Sequence, residues 1–170
     1  MYYEWAREGV AMARFSALLL LLAATWTGCA GDNAMTSSGS PGAPQPALRC
    51  TTPTDTSATL GSPFNLHFGG QAAIVGEDLS LTFAQLLGDD RCPQGVECIR
   101  AGEADVVIRV ADSQHPPADL TLSTVDIPAS HGSYHGFDVQ LVQVTPYPEA
   151  GHAPTPEADT CVQLIVSRQR

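Results

Sequence analysis

Two clusters in this chain combine residue types and spacing that could do chemistry. The first is Asp89-Asp90-Arg91-Cys92-Pro93-Gln94-Gly95-Val96-Glu97-Cys98. Asp90 and Arg91, in a loop closed by two cysteines, could form a polar binding site. An arginine beside Asp89, Asp90 and Glu97 could equally spend its planar fork on the carbonyls and carboxylates of its own loop. An Asp-Arg-Cys-Pro turn needs side-chain hydrogen bonds to hold its shape, which favours the second reading. The other cluster runs from His131 to Asp138. His131 and His135 could share a metal if they lay on a helix, with Asp138 and His152 as further ligands. Gly132 and Gly136 and the strand pattern that follows predict a polar loop with surface histidines instead, and no cofactor is expected. Ser133, His135 and Asp138 are the residue types of a hydrolase triad. Triads draw their members from distant segments, however, and the sequence lacks a G-x-S-x-G elbow. It also lacks HExxH, a P-loop and a dinucleotide fingerprint, so an enzyme is not expected.

The cysteines frame the elements that must carry these residues. Cys50, Cys92, Cys98 and Cys161 remain once Cys29 is assigned to export, and four cysteines allow three pairings. An oxidising compartment favours disulfides. Cys92 and Cys98 are close together in a turn-rich stretch and are expected to pair. That leaves Cys50 to join Cys161, closing the start of the domain onto its last strand. A metal site on Cys92 and Cys98 is disfavoured by the C-x5-C spacing, which is wider than that of zinc modules.

From Phe64 onward the hydrophobic period is two. Phe64, Leu66 and Phe68 alternate with polar residues, as do Leu79, Leu81 and Phe83. Ala104, Val106, Ile108 and Val110 form a third set, Leu120 and Leu122 a fourth, and Val162, Leu164 and Val166 a fifth. Each set predicts a half-buried strand. Phe137, Val139 and Leu141 share one face, then Val142 and Val144 take over, a shift that predicts a β-bulge. Phe83 to Leu87 reads as a turn or a strand end. Frequent Gly and Pro complete the pattern of an all-β domain, an antiparallel Ig-like β-sandwich or small barrel of about seven strands.

The N-terminal segment has the layout of an export signal. Met12 and Arg14 form a short basic start, and Phe15 to Ala24 is an apolar run of ten residues. Ten residues are too few to cross about 30 Å of hydrocarbon as a helix. Thr27-Gly28-Cys29 follows and looks like a lipobox, at which bacteria acylate the cysteine and cleave before it; Trp26 stands where leucine is usual. Residues 1–11 fit no part of such a signal, which makes Met12 the expected start. Residues 1–28 are thus expected to be a signal peptide, 29–49 a lipidated Cys29 and Gly/Ser/Pro/Ala-rich tether, and 50–170 the β domain. The formal charge is −10 and the basic residues are all arginine. Such a surface repels phosphate backbones and anionic lipid alike. It argues against nucleic-acid binding and leaves a covalent lipid as the route to a membrane.

The segment from Asp89 to Gly102 (DDRCPQGVECIRAG) resembles a D-S-R-C-P-x4-C-x-W-A-G segment shared by a group of uncharacterised bacterial secreted proteins and lipoproteins. The resemblance extends over about residues 60–168. It includes the L-x-L-x-F strand at Leu79 to Phe83 and the Pro146-Tyr147-Pro148 segment. Asp90 replaces the usual Ser and Arg100 the usual Trp. The group has no established activity, so the resemblance implies a fold and no reaction.

The expected protein is therefore a membrane-anchored lipoprotein of the bacterial envelope, facing the periplasm or exterior. Its β domain is expected to be a non-enzymatic binding or interaction module, with an envelope protein as the partner class. A structural envelope protein and a periplasmic metal-binding domain are the alternatives, and a small hydrolase comes last.

Overall fold

The computed structural model describes residues 45–125 and 130–169. The signal segment, Cys29 and most of the tether lie outside them. Nine strands occur among the described residues: β1 (Ser57–Ala58), β2 (Phe64–His67), β3 (Gln71–Ile74), β4 (Ser80–Asp89), β5 (Ala104–Ala111), β6 (Ala118–Ser123), β7 (His131–Tyr134), β8 (Phe137–Thr145) and β9 (Cys161–Arg168). They form a five-stranded sheet, β1-β3-β4-β5-β6, and a four-stranded sheet, β2-β9-β8-β7. The two sheets do not close on each other, so the fold is a β-sandwich and not a barrel. Every strand pair is antiparallel except the short β1–β3 pair.

The alternation seen in sequence becomes the core. Leu81 and Phe83 of β4, Val106, Ile108 and Val110 of β5, and Leu122 of β6 are buried. They meet Phe64 and Leu66 of β2, Val162, Leu164 and Val166 of β9, and Val139, Leu141 and Val144 of β8. Phe68, just past β2, packs edge-on against Phe83, the ring centroids 5.8 Å apart. These side chains alternate with polar ones along each strand, so a single slip in register would expose a whole set. Arg109 and Asp119 stand directly opposite one another on the solvent face of β5 and β6 and pair at 2.8 Å. Both are well exposed, so this pair adds little stability.

Several expectations need correction. Residues His131 to Tyr134 are a strand, β7, rather than a loop. Tyr134 and Phe137 close a two-residue hairpin whose central residues, His135 and Gly136, have φ of 41° and 86°. Positive φ at both positions is what a type I′ turn requires, and His-Gly is a less familiar way to meet it than Asn-Gly. Gly132 is needed on β7 because a Cβ there would stand 3.0–3.2 Å from Leu120 and Leu122 of β6. Phe83 to Leu87 is no turn: β4 continues to Asp89, with register shifts after Phe83 and Leu86. The bulge expected in β8 is present, between Leu141 and Gln143. It returns Val144 to the core but turns Val142 outward, 44% exposed. Finally, backbone pairing already occurs within the expected tether, at Gln45. Gln45 donates to Gly151 O at 2.8 Å and accepts from Ala153 N at 3.0 Å.

Two disulfides close the domain, Cys50–Cys161 across 111 positions and Cys92–Cys98 across 6. Loop-closure entropy gives the long bridge about 5 kcal/mol and the short one about 2 kcal/mol through the unfolded chain. Cys50→Ser/Cys161→Ser is therefore expected to lower the melting temperature more than Cys92→Ser/Cys98→Ser. Amide exchange in the short-bridge variant should rise mainly within residues 89–102. The opposite order of melting temperatures would show that the short loop is part of the cooperative core.

Candidate functional site

Residues 90–103 form the long connection between β4 and β5, and the backbone shows why the segment has its composition. The strand pairing runs on past Asp89 and Ala104. Asp90 N donates to Glu103 O at 2.7 Å, and Cys92 N to Ala101 O at 2.6 Å. The tip beyond this ladder is held by Cys92–Cys98. Gly102 has φ of 68°, and a Cβ on it would lie 1.8 Å from Asp90 O. No other residue fits so close a crossing.

Arg91 is only 7% exposed and stands where this loop meets the end of β8. Its Nε donates to Asp89 Oδ1 at 2.7 Å and its Nη2 to Asp89 Oδ2 at 2.6 Å, a bidentate pair. Nη1 donates to Val144 O at 2.6 Å, and Nη2 also to Pro146 O at 2.9 Å. The Tyr147 ring covers the guanidinium at 4.7 Å. The arginine thus serves its own loop, as its turn chemistry suggested, and reaches the opposite sheet as well. Its carboxylate partner is Asp89. Asp90 is exposed and is tied in by its backbone.

The segment after β8 follows the motif loop closely. Gln94 N donates to Pro148 O and Ala150 N to Gln94 O, each at 2.9 Å. The N-terminal segment pairs with the same stretch through Gln45. A one-turn 3-10 helix, η1 (Glu157–Asp159), then leads into β9. The Glu157 carboxylate accepts from Leu86 N at 2.6 Å, satisfying a donor at the second register shift of β4. The segments 45–50, 89–94 and 146–155 therefore share one end of the sandwich. Two cavities flank Arg91 there. One, of about 300 Å³, reaches from Leu48 and Leu86 to Glu149 and His152. The other, of about 360 Å³, lies between Gly102, Thr124 and Val125 on one side and Val142 and Tyr147 on the other.

The histidine cluster is divided. His131 Nδ1 pairs with Asp138 Oδ2 at 2.8 Å across the β7–β8 hairpin. The His135 ring stacks on His115, centroids 3.6 Å apart and planes 13° from parallel. His115 Nδ1 in turn holds Asp112 Oδ2 at 2.8 Å, and this hydrogen bond keeps the Asp112 carboxyl below the usual carboxylate range. Tyr134 OH donates to Pro116 O at 3.2 Å, and burial pushes its phenol upward. Ser133 accepts from Gln169 Nε2 at 2.6 Å. Ser133, His135 and Asp138 thus have separate partners and form no relay. His115, the partner of His135, carries no sequence signal that would connect the two. Cys50, Cys161 and His67 also converge. The two sulfurs are bonded to each other, and His67 Nε2 is bonded to Thr52 O, so no thiolate is free to take a metal there.

Replacing Arg91 with Leu should cost about 3–5 kcal/mol in urea unfolding, because it strands a carboxylate and two carbonyls that now share one cation. Arg91→Lys should recover only part of this, since an ammonium cannot make the bidentate fork. A loss below about 1 kcal/mol in Arg91→Leu would mean that water takes over these acceptors. In a separate measurement, His131→Ala/His135→Ala should leave the zinc and copper content of purified protein unchanged. A stoichiometric metal lost in that variant would show that the hairpin ligates one.

No family model, curated protein or solved structure matches the chain, so the reading of this site rests on its own geometry.

Proposed function

We propose that this chain is a lipid-anchored envelope protein whose β-sandwich is a non-enzymatic binding or interaction module. The observation that carries the proposal is the grouping of two cavities around one internally satisfied arginine. Arg91 spends its donors on the protein and makes a stiff partition, while the walls on either side stay open. Stiff walls reduce the ordering cost of binding. Val125, Val142 and Tyr147 border the second cavity and are each more than 40% exposed, which suits an apolar contact with a partner. The separate partners of Ser133, His135 and Asp138 favour binding over hydrolysis. Two disulfides suit an oxidising compartment outside the cytoplasm. The Thr27-Gly28-Cys29 junction supplies the anchor in this proposal, and the similarity of residues 89–102 to bacterial secreted proteins and lipoproteins agrees with it.

Cell fractionation and intact-mass analysis test the anchor. Wild-type protein should sediment with membranes and carry acyl mass on Cys29, and Cys29→Ser should be soluble and unacylated. Equal fractionation, with no acyl mass on either protein, would remove the lipoprotein from the proposal. Binding is tested by placing a photo-crosslinking residue at Val142, beside one cavity, or at Thr155, beside the other. A discrete crosslinked envelope component is expected from at least one site. None from either would count against a binding module.

A further inference from the structure

The cavity between the motif loop and the segment after β8 has a definite chemistry. Its walls are Leu48, Leu86, Pro93, Pro148 and Pro154, aliphatic and stiff, with no Phe, Tyr or Trp among the lining residues. Three carboxylate or imidazole side chains edge it: Asp89, Glu149 and His152. Asp89 is committed to Arg91 through both oxygens, and that pair is neutral. Glu149 is different. Its side chain is 47% exposed, and among the described residues the one basic group paired with it is His152, whose Nδ1 lies 3.8 Å from Oε2. That is beyond hydrogen-bond reach, and the buried Nδ1 has no other partner. A cavity with aliphatic walls therefore carries a water-exposed carboxylate that makes no hydrogen bond to a protein donor, and beside it a buried imidazole nitrogen without a partner. A buried polar atom left this way, here His152 Nδ1, is a place where a ligand, ion or water can bind.

We infer that this cavity binds a primary ammonium on a short aliphatic stem, the stem lying against the leucines and prolines and the ammonium on Glu149. Charge fits: an excess negative charge at the site, within a chain of net charge −10, attracts a cation. Shape fits as well. About 300 Å³ is at the small end of ligand pockets, room for a slender chain rather than a ring system. With no Phe, Tyr or Trp in the walls, a quaternary ammonium would lack the cage that usually holds it. The sequence contains no lysine, so the ammonium cannot come from the side chain of a second copy of the protein. It must belong to another molecule, either a free aliphatic amine or a lysine side chain on a peptide. The inference rests on the binding-module proposal and names the ligand class for one of its two cavities.

The test is a set of titrations of the isotope-labelled full chain with both disulfides formed, followed by amide chemical shifts at constant ionic strength. The probes are n-pentylamine, Nα-acetyl-lysine methylamide and, as the charge-reversed control, pentanoate. Both amines should saturate, shifting Leu86, Glu149 and His152, while pentanoate leaves these residues unmoved. Glu149→Gln should weaken the amines about tenfold, the usual effect of removing one charged hydrogen-bond partner, with no change in melting temperature. Tighter binding of the lysine amide identifies a peptide source and tighter binding of pentylamine a free amine; either supports the site. Three results would overturn it: equal binding of pentanoate, amine affinity unchanged in Glu149→Gln, or no saturable shift at these residues. The last of these, with shifts confined to Val125, Val142 and Tyr147, would leave the binding module standing. That proposal fails separately, by the absence of crosslinks at both cavities.

Discussion

One buried guanidinium organises the end of this sandwich. Arg91 lies between the last turn of one sheet and the bulged strand of the other, and a cation in such a place is tolerated only when its donors are used. Asp89 supplies the charge and two carbonyls, of Val144 and Pro146, take further donors. Each of these acceptors depends on something else. Asp89 comes into place because β4 continues through two register shifts. Val144 presents its carbonyl after the bulge in β8. The loop holding Arg91 crosses itself at Gly102, where only a glycine can stand against Asp90 O. Moving any one of these parts would leave a charge or a carbonyl unsatisfied.

The two disulfides divide the work differently from this polar node. Cys50–Cys161 ties the entry segment to β9 and acts chiefly on the unfolded chain, whereas Cys92–Cys98 fixes the tip of the motif loop. The core needs neither for its pattern. Its side chains interleave from both sheets, and their alternation sets the register. Stability is thereby distributed over the sandwich, while the hydrogen bonds of the one buried cation are gathered at one end. In the proposed binding role, groups held in this way would leave less ordering to be done when a ligand arrives.

The end that carries the arginine also gathers segments far apart in the chain: 45–50 from the entry, 89–94 from the motif loop, and 146–155 from the connection to β9. Irregular backbone of this kind needs local hydrogen bonds to persist. Gln45, Gln94 and Glu157 provide them at Gly151 and Ala153, at Pro148 and Ala150, and at Leu86. The Glu149 backbone belongs to this network, but its side chain is left outside it. An open carboxylate beside proline walls is the feature that gives the first cavity its polarity, and the Tyr147 ring over Arg91 belongs to the second cavity.

Local pattern was enough for the class of the fold. Period-two alternation at Ala104–Val110 and Val162–Val166 can be satisfied only by strands with one dry face, and the phase change near Leu141 marks a bulge because an extra residue must displace every later side chain. Arg91 could be assigned to its own loop from turn chemistry, since the demand for hydrogen bonds there is local. What sequence could not convey was whatever depended on distant partners. The strand at His131–Tyr134 is polar on its face and has a glycine where a leucine pair from β6 must fit, so it lacks an alternation signal and exists only because β8 pairs with it. His115 and His135 stack because two turns meet, which nothing in either turn announces. The reach of Arg91 to Val144 and Pro146 and the cavity beside Glu149 were decided by how one sheet lies across the other. Side chains separated by fifty residues become neighbours only when the core fixes that distance.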